Sequence, residues 1–359
     1  MDPTGLIPTP ESIPAPYWLF LVLDILLFIL HILVINVVVG GSLIIAYKRW
    51  FGKNEPLEDA VHGIMASKLP TSFAIGINLG VAPLLFMQVI YGHFFYTSSV
   101  LMAVYWILVI PLLILAYYGA YIHIKKYDIS EWMSKSAILV VALILLYISF
   151  IQVNNNTLMM QPAKWLAYFD NRDGTILNLA DPTLIPRYLH FLLASIAIAG
   201  LFMAMLWSFR QKKGEEGSES KVRAGLQVFA WFTLIQILVG FWFLMAIPRE
   251  FIAAYMGRNL YFTIVLLFGS LCGIGAMVTA FRGKMRPTLM MLLITVAAMI
   301  ITRQNLRSQY LESFFKPESL TVKSQYDVFV LFIVILILGL ISVAYMVKQA
   351  YLASERRAG

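Results

Sequence analysis

The chain has 359 residues, of which 60% are apolar and 13% charged, and its mean hydropathy is +0.79. A soluble domain carries about 25% charged residues, so a soluble enzyme or a nucleic-acid-binding domain is excluded. The net charge of +8 is then a report on orientation in a membrane.

The opening stretch, MDPTGLIPTPESIPAPYW, is polar and proline-rich and has no basic start, so no cleavable signal peptide is expected. Nine apolar segments follow, at about 17–47, 69–96, 101–123, 136–155, 186–209, 224–247, 259–281, 287–302 and 326–347. A bilayer core needs roughly 20 residues of helix, and helix satisfies its own backbone in lipid. The expected fold class is therefore an all-α polytopic membrane protein, a single transmembrane domain over 1–359 with no internal repeat. Placing the N-terminus outside puts eighteen of the 27 Lys and Arg residues in inner loops and the tail, against nine outside, so the N-terminus is expected outside and the C-terminus in the cytoplasm. The inner stretch QKKGEEGSESK (211–221) reads as a flexible linker. Cys272 is the single cysteine, so no internal disulfide forms, and no C-x-x-C-H stretch can attach a c-type haem.

The five histidines take their depth from this topology. His31 lies near the middle of the first span, seven residues after Asp24; two turns of helix put both on one face. His62 falls in the first inner loop. His93 lies at the outer end of the second span. His123 lies at the inner end of the third, where a solvated or headgroup-facing ring is expected. His190 lies near the outer end of the fifth, three residues after Arg187 and on its face. An ionisable group within a span is a functional hypothesis by default, and imidazole is a common axial ligand of haem iron. The alternative for each is a hydrogen bond to a neighbouring helix. Arg187 can pair with a haem propionate or with a lipid phosphate. Asp24 can orient His31, take part in proton movement, or bond across the bundle.

Three outer segments carry the remaining polar residues: 154–187, 248–259 and 302–326. In PREFIAAYMGRN (248–259), Arg249, Glu250, Tyr255 and Arg258 follow the sixth span within three turns. This segment is expected to line a quinone site, with Glu250 as the proton acceptor and Arg249, Tyr255 and Arg258 for the ring oxygens. The alternative is an interfacial helix whose basic residues meet lipid phosphates.

Several stretches, taken in order, resemble subunit I of the cytochrome bd quinol oxidases. SFAIGINLGVAPLLFMQVIYGHFF (72–95) is similar to that family's second helix, with Gly80, Val81, Ala82, Met87 and Gly92 in its spacing. NNNTLMMQP, ending the fourth span, resembles N-x-W-M-Q-x-P. ADP before PRYLHFLLASIAIAG, and LLFILHILVINVVVGGSL, resemble the stretches around two haem-ligating histidines. The resemblance covers about the first 250 residues. It implies that His31 and His190 are haem ligands and that His190 holds a b-type haem near the outer face.

The departures are also specific. The third span has no acid where the family has two glutamates at its oxygen-reducing haems. LYFTIVLLFGSL lacks the family's ligating methionine and nearby arginine. The long quinol loop shrinks to 248–259, and G-R-Q-P-W survives only as Arg303-Gln304. His93 is foreign to the family pattern, and a bis-histidine haem between His93 and His190 would close the iron to oxygen. The expected function is a membrane b-type haem subunit of a respiratory complex in a bacterial-type inner membrane. It exchanges electrons between quinone and a partner redox protein, an outer c-type cytochrome or an iron–sulfur protein. Two other readings are a terminal oxidase that reduces oxygen and a haem-less transporter or membrane anchor. The cofactor-binding residues are expected to be His31, His93, His190, Arg187, Asp24 and His123.

Overall fold

The computed structural model describes residues 3–52 and 65–356; His62 and Lys53 lie outside the described residues. The described chain is all-helical apart from loops and one isolated bridge, and it contains nine helices long and apolar enough to cross a membrane. They are α1 (Tyr17–Phe51), α2 (Ser67–Leu101), α3 (Ala103–Lys125), α4 (Glu131–Met159), α5 (Leu184–Gln211), α6 (Ser218–Ala246), α7 (Leu260–Phe281), α8 (Met285–Leu311) and α9 (Tyr326–Arg356). The protein is a multi-pass all-α membrane protein, and each of the nine expected spans has its helix.

The helix boundaries run past the apolar windows, most of all in α8. The sequence places the end of this span at residue 302, where ITRQNLRSQY turns polar, yet the helix continues to Leu311. Arg303, Gln304 and Arg307 therefore project from a helix inside the bundle and not from a loop. Arg307 and Gln304 are buried, which polar residues in a helix tolerate only when they face partners and not lipid.

α1 is the central helix. It packs against α2, α4, α5 and, more lightly, α8. α5 lies against α6, and α7 against α8 and α6. Close approach at the two principal crossings depends on glycine. A Cβ on Gly40 of α1 would fall 1.9 Å from the Ser195 carbonyl oxygen of α5, and one on Gly225 of α6 would fall 2.6 Å from the Gly200 oxygen of α5. In lipid, where apolar burial does not distinguish helix from solvent, such small-residue contacts let helices gain packing. Asn36 of α1 accepts a hydrogen bond from the Ser195 hydroxyl at 2.7 Å, which fixes the register of α1 against α5.

The connections at one end of the bundle are tied to one another. Ile13 of the lead-in donates to the Thr321 carbonyl and accepts from Lys323, both at 2.9 Å. The segment 160–183 folds back over the α2–α3 junction, with Ile176 N–H bonded to the Leu101 carbonyl at 3.0 Å. Trp165, buried, donates to the Leu158 carbonyl. We call this the N-terminal end. α9 differs from the rest: the apolar window of this helix has none of its residues buried.

Candidate functional site: imidazoles and arginines near the N-terminal end

His31 and His190 are set at matched depth. Each lies five residues before a partner in the Asn36–Ser195 contact, on helices that both run from the N-terminal end. Five residues of helix are about 7.5 Å, so both rings sit a little over one turn toward that end from the contact. They point to different neighbours. His31 Nδ1 lies 3.0 Å from the Gly76 carbonyl oxygen of α2. With Nδ1 as donor, Nε2 is left as the lone-pair nitrogen, the arrangement common in ligating histidines whose other ring N–H meets a carbonyl. A Cβ on Gly80, one turn along α2, would come within 2.7 Å of the His31 ring. His190 faces α6: its Nε2 lies 3.3 Å from the Gln236 amide nitrogen, and its Nδ1 is buried without a partner. Here too a glycine makes room, since a Cβ on Gly240 would fall 3.2 Å from the ring. Arg187 lies over Phe243 of α6 at 4.8 Å, so Arg187 and His190 share a face of α5 as the three-residue spacing requires.

His93 is placed apart from His190. Its ring packs on Phe94 (4.4 Å) and edge-on to Phe315 (4.6 Å), and its Nε2 is buried without a partner. α2 packs on α1, α3 and α4, and α5 on α1, α4 and α6. The contacts of the two rings have no residue in common, so the structure does not bring His93 and His190 together. His123 is fully buried and not solvated: its Nδ1 meets the Ser134 hydroxyl at 2.9 Å and the Ser134 carbonyl at 3.0 Å, closing the α3–α4 turn. It lies at the opposite end of the bundle from His190.

Asp24 does not reach His31; the Gly76 carbonyl orients that ring instead. The carboxylate lies 3.8 Å from Arg307 Nη1 of α8, and both side chains are buried. Arg303, one turn earlier on α8, has its guanidinium 4.5 Å above the Phe28 ring and donates to Asn156 Oδ1 at 3.3 Å. Phe28 in turn neighbours His31, with ring centroids 6.1 Å apart. Asp24, Phe28 and His31 thus form one stripe on α1, with Arg307 and Arg303 beside its first two members. Arg307 also donates to Gln304 Oε1 at 3.0 Å, and Gln304 donates to the Tyr91 hydroxyl at 2.8 Å. Arg187 is within electrostatic reach of both Arg303 and Arg307. Arg187 Nε and Nη2 and Arg307 Nε are buried with no acceptor. Three guanidinium groups, which cannot lose their protons, thus gather against two carboxylates, Asp24 beside Arg307 and Asp181 within electrostatic reach of Arg187.

An open-sided cavity of about 430 Å³ lies at the N-terminal end. Gln161, Asp181, Glu250, Tyr310 and Ser313 line it, with Lys164 at its wall. Asp181 holds this wall in place. It accepts from the Thr183 backbone N–H and hydroxyl, both at 2.6 Å, from Asn178, and in a short contact from Gln161. Asp181 and Tyr310 are also the groups electrostatically nearest Arg187.

Of the segment 248–259, only the start reaches this cavity. Residues 249–253 form a short helix, and the chain then turns through Gly257 at φ +106°. Arg249 and Arg258 are exposed, and neither is among the residues lining the cavity. Tyr255 is buried, stacked on Phe262, and donates to the Thr302 carbonyl at 3.2 Å. Burial pushes its hydroxyl above the ordinary tyrosine range, so it stays protonated as that donor. Tyr255 anchors the turn to α8, while Glu250 faces the cavity. Tyr310 and Ser313 lay in a stretch that reads as a loop, and Gln161 and Asp181 in motifs noticed only for their resemblance. The only sequence signal for them was polar residues close to span ends.

Among the described residues no three His, Cys, Asp or Glu converge on a common point. A haem asks less of the protein than a polydentate metal site: one or two axial ligands, cations for its propionates, and room for its ring. The residues present fit that demand. His31 and His190 sit in glycine-lined positions, His190 retains an unpartnered buried nitrogen, and unpartnered guanidinium N–H groups lie on the N-terminal side. The chain matches no family model and no curated protein.

Proposed function

We propose that the protein is a b-type haem subunit of a respiratory complex of a bacterial-type inner membrane. It would take electrons from quinol and pass them to a partner redox protein, an exported c-type cytochrome or an iron–sulfur protein. The observation that carries this reading is the charge excess inside the bundle. Arg187, Arg303 and Arg307 gather beside the imidazole-bearing faces of α1 and α5 with two carboxylates, Asp24 and Asp181, within reach, and three of their N–H groups have no acceptor. Buried cations left without partners are costly, and a haem brings two carboxylates. The resemblance of the His31 and His190 stretches to the cytochrome bd subunit points the same way, and the Lys and Arg distribution makes the N-terminal end the outer one.

In this reading His31 presents Nε2 to iron while Gly76 fixes the ring through Nδ1, and His190 serves from α5 at the same depth. Arg187 and Arg303 hold the propionate carboxylates. A bound b-type haem supplies reversible one-electron chemistry at the iron. The quinol head group lies in the cavity of about 430 Å³, a size suited to a small ligand. Tyr310 and Gln161 offer hydrogen bonds to the ring oxygens. Oxidation of one quinol releases two electrons and two protons; Glu250 would accept the ring-hydroxyl protons one after the other and return each to water at the outer face. The acid-free α3 offers no carboxylate to deliver protons to oxygen, which favours electron transfer over oxygen reduction.

Haem stoichiometry in His31→Ala and His190→Ala tests the assignment. Each variant should lose one haem equivalent per chain, whereas Glu250→Gln should retain full haem and lose quinol turnover at least tenfold. Parent-like haem content and spectra in both histidine variants would refute the ligand assignment. Carbon monoxide binding to the reduced protein would indicate an exchangeable iron position and favour the terminal-oxidase reading.

A further inference from the structure

We propose that Asp24 is the proton acceptor coupled to reduction of this site: an electron arriving near His31 raises the proton affinity of the Asp24 carboxylate, which draws a proton from water at the N-terminal end. The inference rests on the haem reading above and deepens it. Asp24 is a buried carboxylate in a span, 5% exposed, and among the described residues no hydrogen bond reaches it. Its ionised form is supported by charge alone. Arg307 stands 3.8 Å away, beyond hydrogen-bond length, and directs the same nitrogen, Nη1, to Gln304. The groups that face Asp24 are Arg307 and Arg303 from α8 and Tyr91 from α2, with His31 on its own helix. A carboxylate fixed by several backbone N–H bonds resists protonation. One held only by neighbouring cations responds to any change in local charge.

The position of Asp24 makes such a change large. His31 lies seven residues further along the same face, about 10 Å by helix rise. One added electron at that distance raises the proton affinity of the carboxylate roughly tenfold at an effective dielectric near 20. The proton has a polar approach. Arg307, Gln304 and the Tyr91 hydroxyl form a buried polar cluster beside Asp24 within the last two turns of α8, and Ser308 also meets the Tyr91 hydroxyl. Proton uptake at Asp24 would then offset part of the added charge, on average about half a proton per electron midway between the oxidised and reduced titrations for a tenfold coupling.

Potentiometric titration of the purified protein between about pH 5 and 9 reads the coupling directly. The midpoint potential of one haem should fall with rising pH by a total of about 59 mV, the tenfold coupling converted for a one-electron couple. In Asp24→Asn that pH dependence should vanish with haem retained. In Arg307→Gln it should persist but move to higher pH, because the carboxylate has lost a cation that favours ionisation; a purely structural salt bridge would produce no such displacement. Reduced-minus-oxidised infrared spectra should show a protonated-carboxyl band in the parent that is missing from Asp24→Asn. Unaltered pH dependence in Asp24→Asn, or an Arg307→Gln window that does not move, overturns the proposal while leaving the haem reading intact. Absence of haem from the parent overturns both.

Discussion

The two ends of the helix bundle solve the same problem differently. At the end away from the N-terminus, polar groups close local contacts. His123 is bonded to Ser134 across the α3–α4 turn, Arg49 lies 4.0 Å over Tyr127 and donates to its carbonyl, and Thr279 meets Thr288 across the α7–α8 turn. These contacts close the α3–α4 and α7–α8 turns or tie the end of α1 to the α3–α4 region. At the N-terminal end the partners come from distant helices and leave donors over. Asp24 of α1 meets Arg307 of α8, Gln304 of α8 meets Tyr91 of α2, and buried nitrogens of His93, His190 and Arg187 have no partner. Arg49 Nε is also left over at the inner end, but it is at the N-terminal end that unpartnered imidazole and guanidinium groups of several helices gather, and such breaks of local rules are expected at functional sites.

The contrast predicts a gradient of mutational effects. The largest falls on the N-terminal half. His190→Ala should remove one haem per chain, measured by pyridine haemochrome assay against protein concentration, whereas Ser134→Ala at the opposite end should leave haem content unchanged. Next in size, Arg307→Ala removes the partner of a buried ion pair, leaving Asp24 with Arg303 alone, and should cost about 3–5 kcal/mol of stability. Adding Asp24→Asn should restore much of that loss, and a double-mutant cycle in detergent unfolding would show it. If the double variant were as unstable as the sum of the singles, the pair would not be coupled. Gly40→Ala drives a methyl into the Ser195 carbonyl and should cost about 1–3 kcal/mol as overpacking, with disturbed haem spectra because α1 and α5 carry the two imidazoles. The smallest effects are single hydrogen bonds. Ser134→Ala and Tyr255→Phe should each cost about 1 kcal/mol. Tyr255→Phe should leave the affinity for quinol unchanged, since the hydroxyl is directed at Thr302 and not at the cavity.

The sequence discloses the architecture because lipid makes it legible: nine apolar windows correspond to nine helices, and only their ends shift. It also discloses which faces matter when partners lie on one helix, as with Arg187 and His190, both turned to α6. It conceals what depends on distant helices. Asp24 stands one turn from Phe28 and two from His31, but nothing local says that α8 brings Arg307 and Arg303 alongside. The polar run around those arginines resembles a loop in hydropathy because hydropathy does not tell a buried ion pair from a solvated one. The same blindness hides Tyr310 and Gln161 as cavity residues. It also favours Tyr255, whose position beside Glu250 in the chain says nothing of its burial against Phe262. His93 and His190 share a depth in the sequence, yet depth does not decide adjacency: α2 and α5 both pack on α1 and α4 but make no substantial contact with each other.

The most direct test of the central claim is the reduced-minus-oxidised absorption spectrum of the purified chain, with haem quantified in the same sample. The account predicts non-covalently bound b-type haem, at least one per chain, extractable by acidified acetone and absent as c-type haem. A purified, folded protein without haem absorption would contradict it.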